Sequence, residues 1–291
     1  MLLKLSKNSA IMGYIMLLIL SLVYWIIDVL GANIPFPENS ITALLILFGA
    51  IIFSVIVHKQ NLSKGYIVSA MLLVVICYSD IFFFKDIHLI IQTLIAIIAF
   101  SMLLRSHNKS NGYVSLFNGS FLFSTISVFN PQFVLALPFI WIMLIVYGNN
   151  NYKDWLISLI AAALPYILLL SFCFIFDRWD YFPLFDLEII LPVWSNALIL
   201  PIILIFIGIL AFVQQMKLLR GDIVYVRNIS LFLAAYVYFT LFFVLFYTYD
   251  ASHIMFPVLY AFIIGKYLNA MRRKWLAEVL FFLLIVGVAV F

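Results

Sequence analysis

The stretch LLILFGAIIFSVIV, residues 44–57, decides the fold class of this chain. It contains no charged residue, and its apolar residues do not alternate with polar ones as they do in a strand of a membrane β-barrel. An uninterrupted apolar run of this kind is typical of a helix that crosses a bilayer. The stretch therefore predicts transmembrane helices.

The composition extends this prediction to the whole chain. Hydrophobic residues make up 67% of the 291 residues, charged residues make up 10%, and the mean hydropathy is +1.22. Soluble domains are about half apolar and about a quarter charged. Lipid must therefore be the solvent for much of this apolar surface. We expect an all-α, polytopic bundle that forms a single integral membrane domain over residues 1–291.

Apolar runs of about 17–25 residues indicate the individual spans. About 11 spans are predicted, at residues 10–30, 41–57, 66–84, 87–104, 113–129, 132–147, 155–176, 197–214, 229–248, 254–268 and 275–291. The first run is too long for the apolar part of a signal peptide, so we expect it to remain as a span. No connection is long enough for a soluble domain.

The basic residues predict the orientation, because Lys and Arg concentrate in cytoplasmic connections. With the N-terminus in the cytoplasm and the connections alternating, all but two of the 16 Lys and Arg fall inside. Only Lys85 and Arg178 fall outside. A wrong number of spans would destroy this alternation. The pattern therefore favours a cytoplasmic N-terminus and an extracytoplasmic C-terminus.

Most of the acidic residues fall on the opposite, extracytoplasmic side. The predicted outer acids are Asp28, Glu38, Asp80, Asp86, Asp177, Asp180, Asp186, Glu188 and Asp250. The largest outer connection, 177–196, contains four of them and two prolines, and we expect it to lie on the outer surface as an interfacial segment or lid. Acidic residues contribute little to topology, so insertion alone does not require this bias. They either solubilise the outer loops or form a site.

The functional alternative rests on the positions of four aspartates. Asp28, Asp80, Asp177 and Asp250 each lie at the outer end of a different span, where ionisable groups tend to face a protein interior or a wet cavity. We expect these ends to line one outward-facing cavity. The candidate catalytic residues are Asp28, Asp80 and Asp250. The candidate substrate-binding residues are Glu38, Lys85, Asp86, Asp177, Arg178 and His253.

The two outer cations have two interpretations. Lys85 and Arg178 each lie among acidic residues, so each forms a local ion pair or holds the phosphate of a lipid or phosphosugar. The four histidines form no close-spaced ligand motif, and nothing in the sequence indicates a resident metal or cofactor. The net charge of +4 follows from topology, so we expect no nucleic-acid partner.

Three stretches resemble one family of bacterial proteins. WIIDVLGANIPFPENS (25–40), FNPQFVLALPFIWIMLIVYG (129–148) and YDASHIMFPVLYAFI (249–263) look like uncharacterised polytopic proteins of the bacterial cytoplasmic (inner) membrane. The resemblance covers most of the chain and implies a multi-pass protein of the cell envelope. Some members have a carotene-monooxygenase label, whereas the histidines here form no set of iron ligands.

A second, weaker resemblance is to membrane-embedded glycosyltransferases that use polyprenyl-phosphate sugars. Those enzymes share a cytoplasmic N-terminus, many spans and acidic residues on the outer face. The matching positions here are Asp28 or Glu38 in the first outer loop, and Asp80 and Asp86 in the second. The resemblance implies that a carboxylate deprotonates an acceptor hydroxyl while Lys85 or Arg178 stabilises the leaving phosphate. The first outer loop here is too short for the amphipathic helices usual in those enzymes.

Three classes of function therefore stay open at this point. The chain is an envelope enzyme acting on a lipid-linked sugar or another envelope lipid, a non-catalytic subunit or assembly factor of an envelope complex, or a transporter of lipids or small molecules. Membrane lipids are expected partners in each case, together with a polyprenyl-phosphate-linked substrate or an envelope protein. Paired charges at mid-membrane, which a coupled pump needs, are absent from the predicted spans.

Overall fold

The computed structural model describes residues 10–31, 36–60, 65–78, 87–106, 112–146, 151–179, 207, 209–211, 213, 250–271 and 273–290. Within these ranges the protein is helical and contains no strand. The α-helices are α1 (Ala10–Gly31), α2 (Phe36–Lys59), α3 (Tyr66–Cys77), α4 (Ile87–Arg105), α5 (Gly112–Phe129), α6 (Pro138–Val146), α7 (Tyr152–Phe176), α8 (Asp250–Ala270) and α9 (Lys274–Val290). A 3-10 helix, Pro131–Ala136, precedes α6.

Five of these helices are long and apolar enough to cross a membrane, namely α1, α2, α4, α5 and α7. A helix rises about 1.5 Å per residue, so about 20 residues cover the hydrocarbon core of a bilayer. The chain is therefore a membrane protein that is helical in the residues that the structure describes. The number of about 11 spans, the position of each terminus and the single membrane domain stay predictions.

The predicted third and sixth spans differ in form from the helices observed there. The third was expected over 66–84, but α3 ends at Cys77, where the Tyr78 N–H bonds the Val74 carbonyl in a closing turn. The sixth was expected as one helix over 132–147. It begins instead as a 3-10 helix and continues as α6 from Pro138. Neither α3 nor α6 alone has the length of a span.

The Asn130–Pro131 turn joins α5 to this 3-10 helix through main-chain bonds. The Asn130 N–H still bonds the Ile126 carbonyl at 2.8 Å, as in the preceding helix. Asn130 itself is extended, with φ −128° and ψ 96°, and its carbonyl accepts from the Phe133 N–H at 2.9 Å. Pro131 has no backbone N–H, and none is needed at the first position of the new helix. The Asn130 side chain forms no capping bond.

One compact unit comprises Met1–Ile91, Val193–Val237 and Phe256–Phe291, and α3 lies at its centre. Every residue from Ile67 to Cys77 is buried, and α1, α2 and α9 pack against this helix. Helix α8 also approaches α3 closely, because Gly265 faces Ser69 without a side chain between them. The uniform apolarity of α3 thus reflects a protein interior rather than a lipid-facing surface.

The second compact unit comprises Gln92–Pro192 and Tyr238–Met255, and its most extensive helix contact joins α5 to α7. Hydroxyl groups connect these two helices. The Ser124 hydroxyl donates to the Ala162 carbonyl, and the Ser127 and Tyr166 hydroxyls are 2.6 Å apart. The Phe123 ring of α5 also lies 4.8 Å from the Phe133 ring, in a tilted arrangement, and 6.3 Å from the Phe139 ring, in a stacked one.

Candidate functional site

Helices α1 and α2 form an antiparallel pair whose register follows from one hydrogen bond. The Tyr14 hydroxyl and the Ser54 Oγ are 3.0 Å apart. Counting from this contact toward the connection between the helices, Ser21 comes within about one turn of Leu47, and Trp25 within about one turn of Ala43. The same count brings position 28 within about one turn of Ser40. Asp28 is the first of the predicted site residues in the chain. The register thus aligns its backbone position with the start of the apolar part of α2.

A groove of about 350 Å³ lies between the two helices over this part of the register. Its volume is at the lower end of the range typical of ligand pockets. Eight residues line it: Leu18, Ser21, Leu22, Trp25, Ser40, Ala43, Leu44 and Leu47. None of the eight is charged. Leu22 and Leu44 are 47% and 66% exposed, so the groove opens on the outer surface of the helix pair.

The groove changes from polar to apolar along its length. Ser40 and Trp25 lie at the end next to the connection between α1 and α2, whereas Leu18 and Leu47 lie at the other end. Asp28 occupies the register position one turn beyond Trp25, on the same helical row as Ser21 and Trp25. Glu38 is two residues from Ser40 and therefore falls on another side of α2.

Ser21 is the most unusual residue of the groove. It is 5% exposed, and within the part of the chain that the structure describes its hydroxyl forms no hydrogen bond. Serines in helices commonly donate to a carbonyl of the preceding turn, as Ser54 does to Ile51 at 2.8 Å. The groove therefore contains a hydroxyl available to a ligand.

The groove extends over about two-thirds of the hydrocarbon depth of one bilayer leaflet. From Leu18 to Trp25 the helix rises about 10 Å, compared with about 15 Å for half of the hydrocarbon core. Its polar end lies near the end of the apolar stretch Ala10–Ile27 of α1. With the predicted cytoplasmic N-terminus, this end belongs to the outer leaflet. Tryptophan is typical of that depth, where headgroups meet hydrocarbon.

The predicted site residues are described to different extents. Asp28, Glu38, Asp250 and His253 lie within helices, at the end of α1, the start of α2 and the start of α8, and their side chains fall outside the described structure. Asp80, Lys85 and Asp86 lie outside the described residues, as does the outer connection beyond position 179. Convergence of the aspartates on one cavity therefore stays a prediction.

Asp177 and Arg178 form the C-terminal cap of α7. Asp177 has a left-handed backbone, with φ 50° and ψ 42°, a conformation that Asp tolerates better than most residues. The Arg178 N–H then reaches back to the Cys173 carbonyl at 3.0 Å. Both side chains are exposed, and among the described residues neither has an ion-pair partner. The guanidinium of Arg178 is thus accessible to an anion.

Sequence analysis missed the polar residues inside the groove. Ser21 and Ser40 are ordinary serines in apolar runs, and hydropathy contains no information on which helix faces another. One signal was present, because positions 21, 25 and 28 follow helical spacing and place Ser, Trp and Asp on one row. Cys77 and Cys173, in contrast, are buried free thiols and belong to helix packing.

Comparisons with known proteins add no further information on this site. No protein family, curated protein or solved structure matches the chain. The candidate site therefore rests on the α1–α2 geometry alone.

Proposed function

We propose that the chain is an enzyme of the bacterial inner membrane that transfers a sugar from a lipid-linked donor at the extracytoplasmic face. One observation supports this function above the others. The groove between α1 and α2 is open to lipid, and its polar end is in register with the carboxylate position Asp28. A lipid held in this groove would present its polar group to a general base.

The proposed reaction needs one base and one cation. The carboxylate of Asp28 removes the proton of an acceptor hydroxyl, and the resulting oxygen attacks the anomeric carbon of the sugar. The bond between that carbon and the phosphate oxygen breaks, and the phosphate leaves with the electron pair. Lys85, which belongs to the same compact unit as Asp28, stabilises the charge on the departing phosphate. Asp80 and Asp250 are the other candidates for the base.

The proposal is tested by neutralising single carboxylates in cells. Asp28→Asn, Asp80→Asn and Asp250→Asn strains are compared with wild type for protein abundance in the membrane and for their pool of lipid-linked sugars. At least one substitution should cause a lipid-linked sugar to accumulate while the protein stays at its normal level. Loss of a general base typically slows a reaction by about 10²–10⁴-fold.

Asp186→Asn and Glu188→Gln are matched controls, because they remove an outer charge within the 177–196 connection. Both control strains should keep a normal lipid-linked sugar pool. Unchanged pools in all three test strains would contradict an enzymatic role for these aspartates and leave a non-catalytic envelope subunit as the better description.

A further inference from the structure

We infer that the acceptor in the proposed reaction is itself a lipid, and that the α1–α2 groove binds its hydrocarbon chain. The acceptor would have an uncharged, hydroxyl-bearing headgroup at the Asp28 end of the groove and an oxygen within reach of Ser21. This inference rests on the proposed function, because it names the second substrate of that reaction.

The lining of the groove favours a hydrocarbon chain. Six of its eight residues are Leu, Ala or Trp, and the groove opens toward the bilayer beside the exposed Leu22 and Leu44. Its length of about 10 Å covers about two-thirds of the hydrocarbon depth of one leaflet, so it can hold much of a lipid chain. A lipid can enter such a groove sideways without leaving the membrane.

The charges around the groove decide which headgroup fits. No cation lies among the lining residues, so a phosphate at the polar end would have no charged partner there. The register instead brings a carboxylate position, that of Asp28, to the polar end of the groove. A carboxylate there repels a phosphate and favours a hydrogen-bond donor. A neutral lipid with a free hydroxyl satisfies both conditions, whereas the phosphate-bearing donor does not.

Ser21 supplies a specific contact below the headgroup. It lies one turn inward from Trp25, at the depth where the ester oxygens of a lipid meet its chains. Its hydroxyl, which lines the groove and has no hydrogen bond in the described structure, can donate to such an oxygen. A bound lipid would thereby add a hydrogen bond that the lipid-free protein lacks.

The test measures binding without turnover. The purified full-length protein in detergent is incubated with dioleoylglycerol, which has one free hydroxyl, or with dioleoyl phosphatidic acid, which has the same chains and a phosphate. Native mass spectrometry then counts the lipid molecules retained per chain. We expect one dioleoylglycerol per chain and at least about tenfold weaker retention of phosphatidic acid, a factor equal to about 1.4 kcal/mol. Equal retention of the two lipids would overturn the headgroup assignment.

Two variants locate the bound lipid. Ala43→Phe fills the groove and should abolish retention of dioleoylglycerol. Ala163→Phe places the same ring at a half-buried alanine of α7 that does not line the groove, and should leave retention unchanged. Equal retention by Ala43→Phe and Ala163→Phe would overturn the groove as the site.

Ser21→Ala separates recognition from folding. It should weaken retention of dioleoylglycerol by about 2- to 10-fold, the usual range for one hydrogen bond. It should leave the thermal stability of the lipid-free protein unchanged, because no internal bond is lost. Unchanged lipid retention would overturn the assigned contact.

The sugar-transfer reaction and the lipid acceptor can each be rejected while the other is tested independently. Absence of dioleoylglycerol binding, together with sugar-lipid accumulation in an aspartate variant, would reject the lipid acceptor and keep the enzyme. Groove binding with normal sugar-lipid pools in every aspartate variant would reject the transfer reaction instead, and with it the acceptor role of the bound lipid.

Discussion

At the scale of single residues, Gly265 sets how closely α8 approaches α3. A Cβ added at this position would lie 2.8 Å from the Ser69 Cα and would also collide with the Ser69 hydroxyl. Both residues are buried, so neither side can move away into lipid. Small residues at such contacts allow helix backbones to approach in membranes, where close packing replaces the hydrophobic effect as a driving force.

Gly265→Ala should therefore destabilise the protein by about 1–3 kcal/mol, the usual cost of overpacking a well-packed core. The measurement is the midpoint of thermal unfolding in detergent. Combining Gly265→Ala with Ser69→Gly removes the hydroxyl and Cβ that collide, so the double variant should recover part of the loss. A fully stable Gly265→Ala variant would show that α8 and α3 are further apart than described.

The residue scale also shows what the sequence could predict of the site. Asp28 was found because a carboxylate at the end of an apolar run is conspicuous in any hydropathy profile. Ser21 was not, because its significance depends on a neighbour that is distant in the chain. Leu47 comes close to it only once the Tyr14–Ser54 contact shows how α1 and α2 pair. Side-chain polarity is visible in a sequence, but the pairing of helix faces is not.

At the scale of elements, α5 and α7 are connected by hydroxyl groups rather than by charges. Pro165 lies inside α7 and lacks the N–H that a helix would offer to the Ala161 carbonyl. The Ser124 hydroxyl donates to the next carbonyl, that of Ala162, and so supplies a donor from α5 beside the interruption. In membranes, backbone groups freed by a proline are commonly satisfied by Ser or Thr of a neighbouring helix.

Ser124→Ala should lower the free energy of unfolding by about 0.5–1.5 kcal/mol, the range for interhelical hydrogen bonds in membranes. Ser171→Ala is the control, because the exposed Ser171 donates only within α7, to the Ile167 carbonyl. Unfolding in a denaturing detergent measures both variants. If both variants lower the free energy of unfolding by the same amount, the hydrogen bond between α5 and α7 adds no stability of its own.

The turn between α5 and the 3-10 helix makes a second prediction at this scale. Pro131 fixes the start of the 3-10 helix, and its missing N–H needs no partner there. Pro131→Leu should reduce the yield of folded protein, because it restores a donor and loosens the backbone in a site poor in water. Chromatography in detergent measures that yield. A normal yield of folded Pro131→Leu protein would contradict a structural role for Pro131 and would favour Asn130 as a site residue.

At the scale of the whole molecule, hydropathy predicted the apolar helices well and their boundaries unevenly. Helices α1, α4 and α5 match their predicted spans within one residue at each end, because lipid selects strongly for apolar length. Helix α2 begins at Phe36, before its apolar run, since Pro37 and Glu38 suit the first turn of a helix. Helix α3 was less predictable, because a buried helix and a lipid-facing helix have the same composition.

The orientation of the molecule makes a prediction that depends on every span. With the N-terminus inside and about 11 spans, reporters that are active only outside the cytoplasm should be active after residues 185 and 291. The same reporters should be inactive after residues 110 and 222. An inactive reporter at residue 291 would make the number of spans even and would undermine the acidic outer face.

The central claim is that a carboxylate stands at the extracytoplasmic end of a lipid-facing groove between α1 and α2. Its most direct test is cross-linking of Asp28→Cys to Ser40→Cys with a short, membrane-impermeant bis-maleimide on intact cells, after Cys77 and Cys173 have been replaced by Ala. The register predicts a cross-link for this pair and none for Asp28→Cys with Leu47→Cys, about 10 Å deeper along α2. A cross-link of positions 28 and 40 that forms only after the cells are opened would contradict the claim, as would preferential cross-linking to position 47.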